Sequence, residues 1–382
     1  MAELRIAFVI TELGLGGAEH MLCKLAEIAQ STSIKLMVVS LIDEGVFGDR
    51  IRATGAEVVS CHLNSPRGLL GLLRAYRKVR LFQPTLLQGW MYHGNLLASI
   101  FGRLLPKRPA VLWSMRQTLY SLSDEPLRLR WVIRVLAAIS NSVKAVIYNS
   151  SLSLTQHQAA GLVSKYDLMI PNGFDLSRYK PNEEYRHALR ARWGIEKDAP
   201  VVGLVARRHP MKDHPNFIAA AELLSKRLPA VRFVLVGLGT DTEEMRAALR
   251  EAGIADRTFC MGRVPQSEQF YPAFDVSVLS SAWGEGWPNV LGEAMACGVV
   301  CVATDIGESS QIVGDTGVIV PARNPQAMAK ACQDLLEQDR DMLRLLGARA
   351  RERVMTNFDI NAVFQRHLDV WAMESVNSPG EG

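Results

Sequence analysis

The stretch Glu285-Gly-Trp-Pro-Asn-Val-Leu-Gly-Glu293 decides how this chain is read. It follows Asp275-Val-Ser-Val-Leu-Ser-Ser, an apolar run with the composition of a buried parallel strand. It precedes Ala294-Met-Ala-Cys-Gly298, a short helix that a glycine ends. Pro288 suits a first helical position, where its missing N–H would have had no partner. Asn289, Val290 and Leu291 then offer backbone N–H groups at a helix N-terminus. That is an anion site made of main chain, suited to a diphosphate. Glu293 falls about one turn inside the helix. A carboxylate there is misplaced beside phosphate, but it can accept hydrogen bonds from ribose hydroxyls. Glu285, ahead of the turn, can accept from hydroxyls of another polar group. Two hydroxyl acceptors around one diphosphate site describe a pocket for a nucleotide sugar. Such a pair of glutamates is common by chance; Gly284, Gly286, Pro288 and Gly298 supply the strand–turn–helix context that makes it specific.

The pattern around this segment repeats it. Arg5–Ile10 reads as a strand, followed by a glycine turn and a helix over Ala18–Gln30. Leu36–Leu41, Ala110–Trp113 and Ala145–Tyr148 read as further strands. In the second half Val201–Ala206, Arg232–Val236, Asp275–Ser280 and Val299–Ala303 are strands, separated by helical patterns at Asn216–Arg227 and Thr242–Glu251. Strands alternating with helices imply an α/β chain of doubly wound parallel sheets. The polar, turn-rich stretch from Asn172 to Asp198 marks the join. Ligands of such sheets bind beyond the carboxyl ends of the strands.

The segment from Glu285 to Gly307 resembles the signature of the group 1 (family 4) retaining glycosyltransferases. The resemblance continues at Gly16–Glu19, Ile170–Tyr179, Gly203–Lys212 and Phe233–Gly239. It implies the glycosyltransferase-B fold, two Rossmann-like domains facing a cleft. The corresponding division is an acceptor-side domain over residues 1–180 and a nucleotide-sugar-binding domain over 181–357. A helix over 358–374 would cross back to the first domain, and 375–382 would form a disordered tail.

Further site candidates follow from the strand ends. Arg207 and Lys212, in the basic loop after Val201–Ala206, can clamp a diphosphate with a planar fork and a point charge. Their spacing matches the family's, with Arg208 as the alternative register. Gly16 and Gly17 lie between the first strand and first helix, without GxGxxG spacing. They either let backbone approach the donor or simply make a tight turn. His93 is a cleft-lining candidate. Arg116 stands where family members often carry a histidine that reaches the transferred sugar; an arginine cannot serve as a general base. Ile147–Ser150 and Ile170–Asp175 read as scaffolding. Arg263 and Val264 end a strand where the family's backbone holds the base, so uridine and guanosine are not distinguishable.

Composition excludes several classes. The 382 residues suffice for two domains. A net charge of +4, without an aromatic-interleaved basic stripe, does not suit nucleic acid. The six cysteines are scattered without CxxC, as reduced intracellular thiols are. No run of 18 apolar residues occurs, and the N-terminus reads as a first strand and not a signal peptide. The DxD string Asp339-Arg-Asp341 lies in a charged helical pattern and reads as a solvated face, so no metal and no cofactor are expected; the nucleotide sugar is a substrate. Two basic amphipathic stretches, Leu69–Arg80 and Leu127–Leu136, suit either an anionic membrane surface or ordinary surface helices. The expected function is metal-independent, retaining transfer from a nucleotide sugar, with UDP favoured, to a saccharide or lipid-linked saccharide. The expected location is the cytoplasm or its membrane face. A nucleotide-sugar epimerase or phosphorylase, or a non-catalytic binding protein, is the alternative.

Overall fold

The computed structural model describes residues 3–264 and 266–376. It divides into two units: residues up to Gly173 together with those from Ile360 on, and Phe174–Asp359. The sequence reading put these divisions at 180/181 and 357/358. The first shift has a local cause: Phe174 and Tyr179 are buried in the core of the second unit. Just beyond them lies the helix Glu183–Arg192, capped by the Asn182 side chain accepting from the Tyr185 amide at 2.9 Å. Arg186 and Arg190 of that helix each pair with Asp275 at 2.7 Å, which ties it to the second unit.

Unit 1 runs β1 Arg5–Ile10, α1 Gly17–Ala29, β2 Lys35–Ser40, α2 Gly48–Ala53, β3 Glu57–Ser60, α3 Gly68–Phe82, β4 Leu86–Trp90, α4 Met91–Leu104, β5 Ala110–Met115, α5 Leu127–Ile139, β6 Ala145–Tyr148, α6 Ser151–Ala159 and β7 Asp167–Met169. Its sheet is parallel, in the order β3-β2-β1-β4-β5-β6-β7. Strands buried on both faces read as continuous apolar runs, which is why β1, β5 and β6 were legible. The short β3 and β7 were not. One sheet face is covered by α1, α2 and the last helix; the other by α3, α4 and α5.

Unit 2 runs α7 Glu183–Arg192, β8 Val201–Val205, α8 His214–Arg227, β9 Arg232–Val236, α9 Glu243–Glu251, β10 Thr258–Cys260, β11 Val276–Leu279, α10 Asn289–Ala296, β12 Val300–Thr304, α11 Ser309–Val313, β13 Val318–Val320, α12 Pro325–Leu336 and α13 Arg340–Phe358. Its parallel sheet has the order β10-β9-β8-β11-β12-β13. Winding reverses between β8 and β11, the place where such sheets open a ligand crevice. The last helix, α14, spans Ile360–Val376 and packs in unit 1, with Phe364 and Trp371 buried in its core. It runs past the expected end at 374, and the rest of the expected tail, 377–382, lies outside the described residues.

Three histidines are buried: His157 and His367 at 0% exposure and His214 at 4%. Burial penalises their cations and lowers each below the ordinary imidazole value, His214 to about 4. The unfolded chain therefore takes up protons first as pH falls. Stability is full above about pH 6.5 and declines below it, His214 alone contributing a loss of about 3 kcal/mol by pH 4. Denaturant midpoints measured from pH 7.5 to 4.5 should fall, and His214→Phe should flatten the fall. A midpoint independent of pH over that range refutes the assignment.

Candidate active site

The site is built at the β8/β11 reversal of unit 2. β8 ends at Val205, and the basic loop follows it. Arg207 and Arg208 are exposed. Arg207 has no ion-pair partner among the described residues, whereas Arg208 approaches Glu244 at 3.5 Å. His209 caps the short turn Pro210–Lys212 by accepting from the Met211 amide at 3.2 Å. Asp213 then adopts φ +47 and caps α8.

Lys212 does not project freely. Its ammonium donates to Glu285 Oε1, and the side chains of the pair are only 16% and 8% exposed. The same carboxylate oxygen accepts from Ser281 Oγ. Ser280 Oγ donates to the Lys212 carbonyl at 2.7 Å, and Thr304 Oγ1 donates to the Ser281 carbonyl at 2.7 Å. The ends of β8, β11 and β12 are thus stitched together through serine and threonine hydroxyls. The sequence reading did not select Ser280, Ser281 or Thr304; their signal was a polar residue at the carboxyl end of an apolar strand.

Glycine is required at two points of this loop. Gly284 has φ +80, and Gly307 has φ +62 with a Cβ position 2.1 Å from the Glu285 carbonyl oxygen. A side chain at Gly307 would push the Glu285 segment out of place, and one at Gly284 would be strained at its positive φ and press on Met211. α10 begins at Asn289, so Pro288 is the residue before the helix and not its first member. Its ψ of 95 is extended, and no side chain caps the helix. The Leu291 amide is not available to a ligand as expected, because it donates to the Pro288 carbonyl at 3.2 Å, closing a tight first turn. By contrast α7, α8, α9, α12 and α13 all carry side-chain caps. α10 thus turns the positive end of its dipole toward the crevice, and its N-cap residue, Pro288, supplies no side-chain cap. Its own end is set by Gly298 at φ +75.

Glu293 is 7% exposed and accepts from the buried Tyr271 hydroxyl at 2.9 Å. Burial and the Glu293 charge together raise the Tyr271 phenol well above its ordinary value, so the tyrosine stays a donor. Nothing in the sequence singled out Tyr271. Arg263 is exposed and Val264 half-buried beyond β10, at the sheet edge. Gly262 there donates to Thr240 Oγ1 at 3.1 Å and accepts from the Gly237 amide at 2.8 Å.

Four candidates belong to unit 1. Gly16 and Gly17 start α1 after β1, and His93 stands in the first turn of α4 after β4. β1 and β4 are the neighbours at which unit 1's winding reverses, so these residues share one end of one sheet. Neither Gly16 nor Gly17 has positive φ. His93 is exposed, and partial desolvation lowers it below the ordinary imidazole value. Met91, at the sharp β4-to-α4 turn, is held at φ +62, a strained geometry for a side chain of its size.

Arg116 is a different case, and here the structure corrects the expectation of a catalytic contact. It is 7% exposed. Its guanidinium donates to Ser114 Oγ at 3.0 Å, Asn172 Oδ1 at 2.8 Å and the Ile170 carbonyl at 3.3 Å, and meets His367 Nε2 at 3.0 Å. It also lies 5.0 Å from the Trp90 ring centroid. Burial pulls its pKa down to about 9. A fork occupied this way holds α14 and the 170–172 segment in unit 1. The DxD string is a capping device: Asp339 accepts from the Asp341 amide at 2.8 Å at the start of α13.

Residues 186–353 match the sequence profile of the family described as Glycosyl transferases group 1. The matched stretch lies within unit 2 and spans most of it. The chain is 34% identical over 213 residues to the D-inositol 3-phosphate glycosyltransferase of Nocardia farcinica, covering 51% of this chain and 46% of the relative. It is 28% identical over 230 residues to a GDP-mannose-dependent α-(1-6)-phosphatidylinositol monomannoside mannosyltransferase of Mycobacterium tuberculosis, covering 58% and 59%. The matched stretches thus span less than two thirds of both relatives. The solved structure of Anabaena HepE in complex with UDP superposes with a TM-score of 0.84 over 97% of this chain and 100% of its own, at 22% identity. The fold is therefore the two-sheet fold of the glycosyltransferase-B enzymes.

Proposed function

We propose that this chain transfers a sugar, with retention, from a nucleoside diphosphate sugar to a hydroxyl of a saccharide or lipid-linked saccharide. The observation that carries the reading is the convergence of Arg207, Lys212, Glu285 and the N-terminus of α10 at one sheet reversal. Those groups match the charges of the donor. Arg207, Lys212 and the α10 N-terminus stabilise the negative charge that grows on the departing diphosphate. Before the donor arrives, Lys212 is neutralised by Glu285. Phosphate takes Lys212 over, and Glu285, still held by Ser281, turns its acceptor capacity to the hydroxyls of the transferred sugar. Glu293 accepts from the ribose. Arg263 and Val264 border the base, and within unit 1 Gly16, Gly17 and His93 are candidates at the β1/β4 reversal.

A uridine donor is favoured by the whole-chain likeness to HepE, whose structure holds UDP. A guanosine donor is the competing case, supported by the GDP-mannose-dependent relative. Incubation with a panel of UDP- and GDP-sugars, following release of nucleoside diphosphate, tests the reading. Slow hydrolysis of one donor, accelerated by the right acceptor, is expected; no release from any donor, with intact fold, would count against it. The same assay tests metal dependence. Fixed cations and a helix dipole supply the positive charge that Mg²⁺ or Mn²⁺ supplies elsewhere. Activity in excess EDTA should equal activity with added Mn²⁺. Loss in EDTA with recovery on Mn²⁺ defeats this expectation.

A further inference from the structure

Between Val58 and Tyr166 the chain carries 14 Lys and Arg and only two acids, Asp124 and Glu125, a formal +12 in a chain of total +4. The remaining residues therefore sum to −8. From Val58 to Ser123 there is no acid at all. The fold gathers much of this charge on one surface. Ala75 and Val79 of α3 share a core cluster with Leu97 and Phe101 of α4, on the same side of the unit 1 sheet. Tyr76 of α3 donates to the Leu104 carbonyl at 2.9 Å. Leu96 of α4 packs in turn against the cluster that holds Ile133 and Leu136 of α5. The three helices are neighbours, and their outward sides form one continuous face.

That face is both cationic and oily. α3 exposes Leu69, Leu70, Leu73 and Leu81 at 71%, 70%, 50% and 79%. Arg74, Arg77 and Arg80 stand exposed on the same helix. α4 ends with Leu104 at 61% beside Arg103, Lys107 and Arg108. α5 exposes Leu127 at 78% and Trp131 at 65%, with Arg128 and Arg134. Lys78 pairs with Glu57 at 2.9 Å; the arginines of α3 and α5 at positions 74, 77, 80, 128 and 134 have no ion-pair partner among the described residues. Exposed leucines this numerous are costly in water and mark an interaction surface. Interleaved with cations on helices that lie flat on a sheet, they suit the interfacial layer of an anionic bilayer. A nucleic acid backbone would use the arginines but leave the leucines without purpose.

We propose that the α3–α4–α5 face of unit 1 docks on an anionic lipid bilayer, its arginines at headgroup phosphates and Leu69, Leu70, Leu73 and Trp131 in the interfacial layer. This goes beyond the catalytic reading and does not depend on it, because docking is measured without donor or acceptor.

The test is co-sedimentation of the full chain with vesicles of phosphatidylcholine, alone or mixed with phosphatidylglycerol, at low and high salt. Binding should require phosphatidylglycerol and weaken as salt screens the charges. Arg74→Glu/Arg77→Glu/Arg80→Glu should lower affinity at least about tenfold, since each cation near such a surface is attracted to the anionic headgroups and each glutamate repelled. A control reversal in unit 2, Arg192→Glu/Lys197→Glu/Lys330→Glu, should change it far less. Leu69→Ser/Leu70→Ser/Leu73→Ser keeps every charge and separates lipid from polyanion: vesicle binding should drop while residual binding to duplex DNA stays constant. Equal binding to neutral vesicles, equal effects of the two charge reversals, or vesicle binding indifferent to the leucine series would each overturn the proposal.

Discussion

Arg207→Ala and Lys212→Ala should each lower turnover by roughly 10²–10³, about 2.7–4 kcal/mol of transition-state stabilisation. On the proposed reading, both remove a fixed cation from a site where negative charge grows during reaction. The two variants differ in what else they do. Arg207 is exposed and carries no ion pair among the described residues, so its loss should leave the denaturation midpoint unchanged. Lys212, by contrast, is paired with Glu285 in a half-buried setting. Truncating it leaves a buried carboxylate without its partner, at a cost of up to about 3 kcal/mol in stability. Arg207→Ala is therefore the cleaner test. Steady-state rates and denaturation curves on both variants decide: wild-type turnover in Arg207→Ala, with an unchanged midpoint, removes Arg207 from the clamp.

Glu285→Gln and Glu293→Ala should split sugar recognition from nucleotide recognition. Glu285→Gln should abolish transfer while binding of bare nucleoside diphosphate stays at or above the wild-type level. The amide no longer holds Lys212 as an ion pair, so the ammonium is released toward phosphate. Glu293→Ala should weaken nucleoside diphosphate by roughly ten- to a hundredfold, the loss of one charge-assisted hydrogen bond of about 1.5–3 kcal/mol. It also orphans the Tyr271 hydroxyl, which is buried. Tyr271→Phe is the control: if it retains nucleotide affinity, the loss in Glu293→Ala belongs to the carboxylate itself. Calorimetry with nucleoside diphosphate and with intact donor reads both. Nucleotide affinity lost in Glu285→Gln and kept in Glu293→Ala would reverse the two roles.

Much of this organisation was readable in one dimension because buried parallel strands leave a strong local mark. β1 and β9 are apolar after a leading arginine and β11 is apolar but for Ser277, and all three were placed to within a residue. β7 and β13 are three-residue edge strands, half-exposed, and too short to carry a period. Helix α7 was missed because its mean composition is polar; it is held by Asn182 and by two arginines that find Asp275 far along the chain.

The same division runs through the candidate site. Composition and spacing determined a doubly wound α/β chain and a helix N-terminus after β11, and together with the family resemblance they singled out Arg207, Lys212, Glu285 and Glu293 as the groups to watch. Each of those readings rests on residues within one strand–turn–helix step, where local sterics and hydrogen bonding dictate geometry. Tertiary structure decided which partner each side chain meets. It paired Lys212 with Glu285 across 73 residues and gave Glu293 to Tyr271. It also buried Arg116 against His367, 251 residues away in α14. An isolated arginine or lysine in a sequence carries a charge but no burial and no partner. Both come from the sheet order and from which helix covers which face, set by the packing of the whole unit.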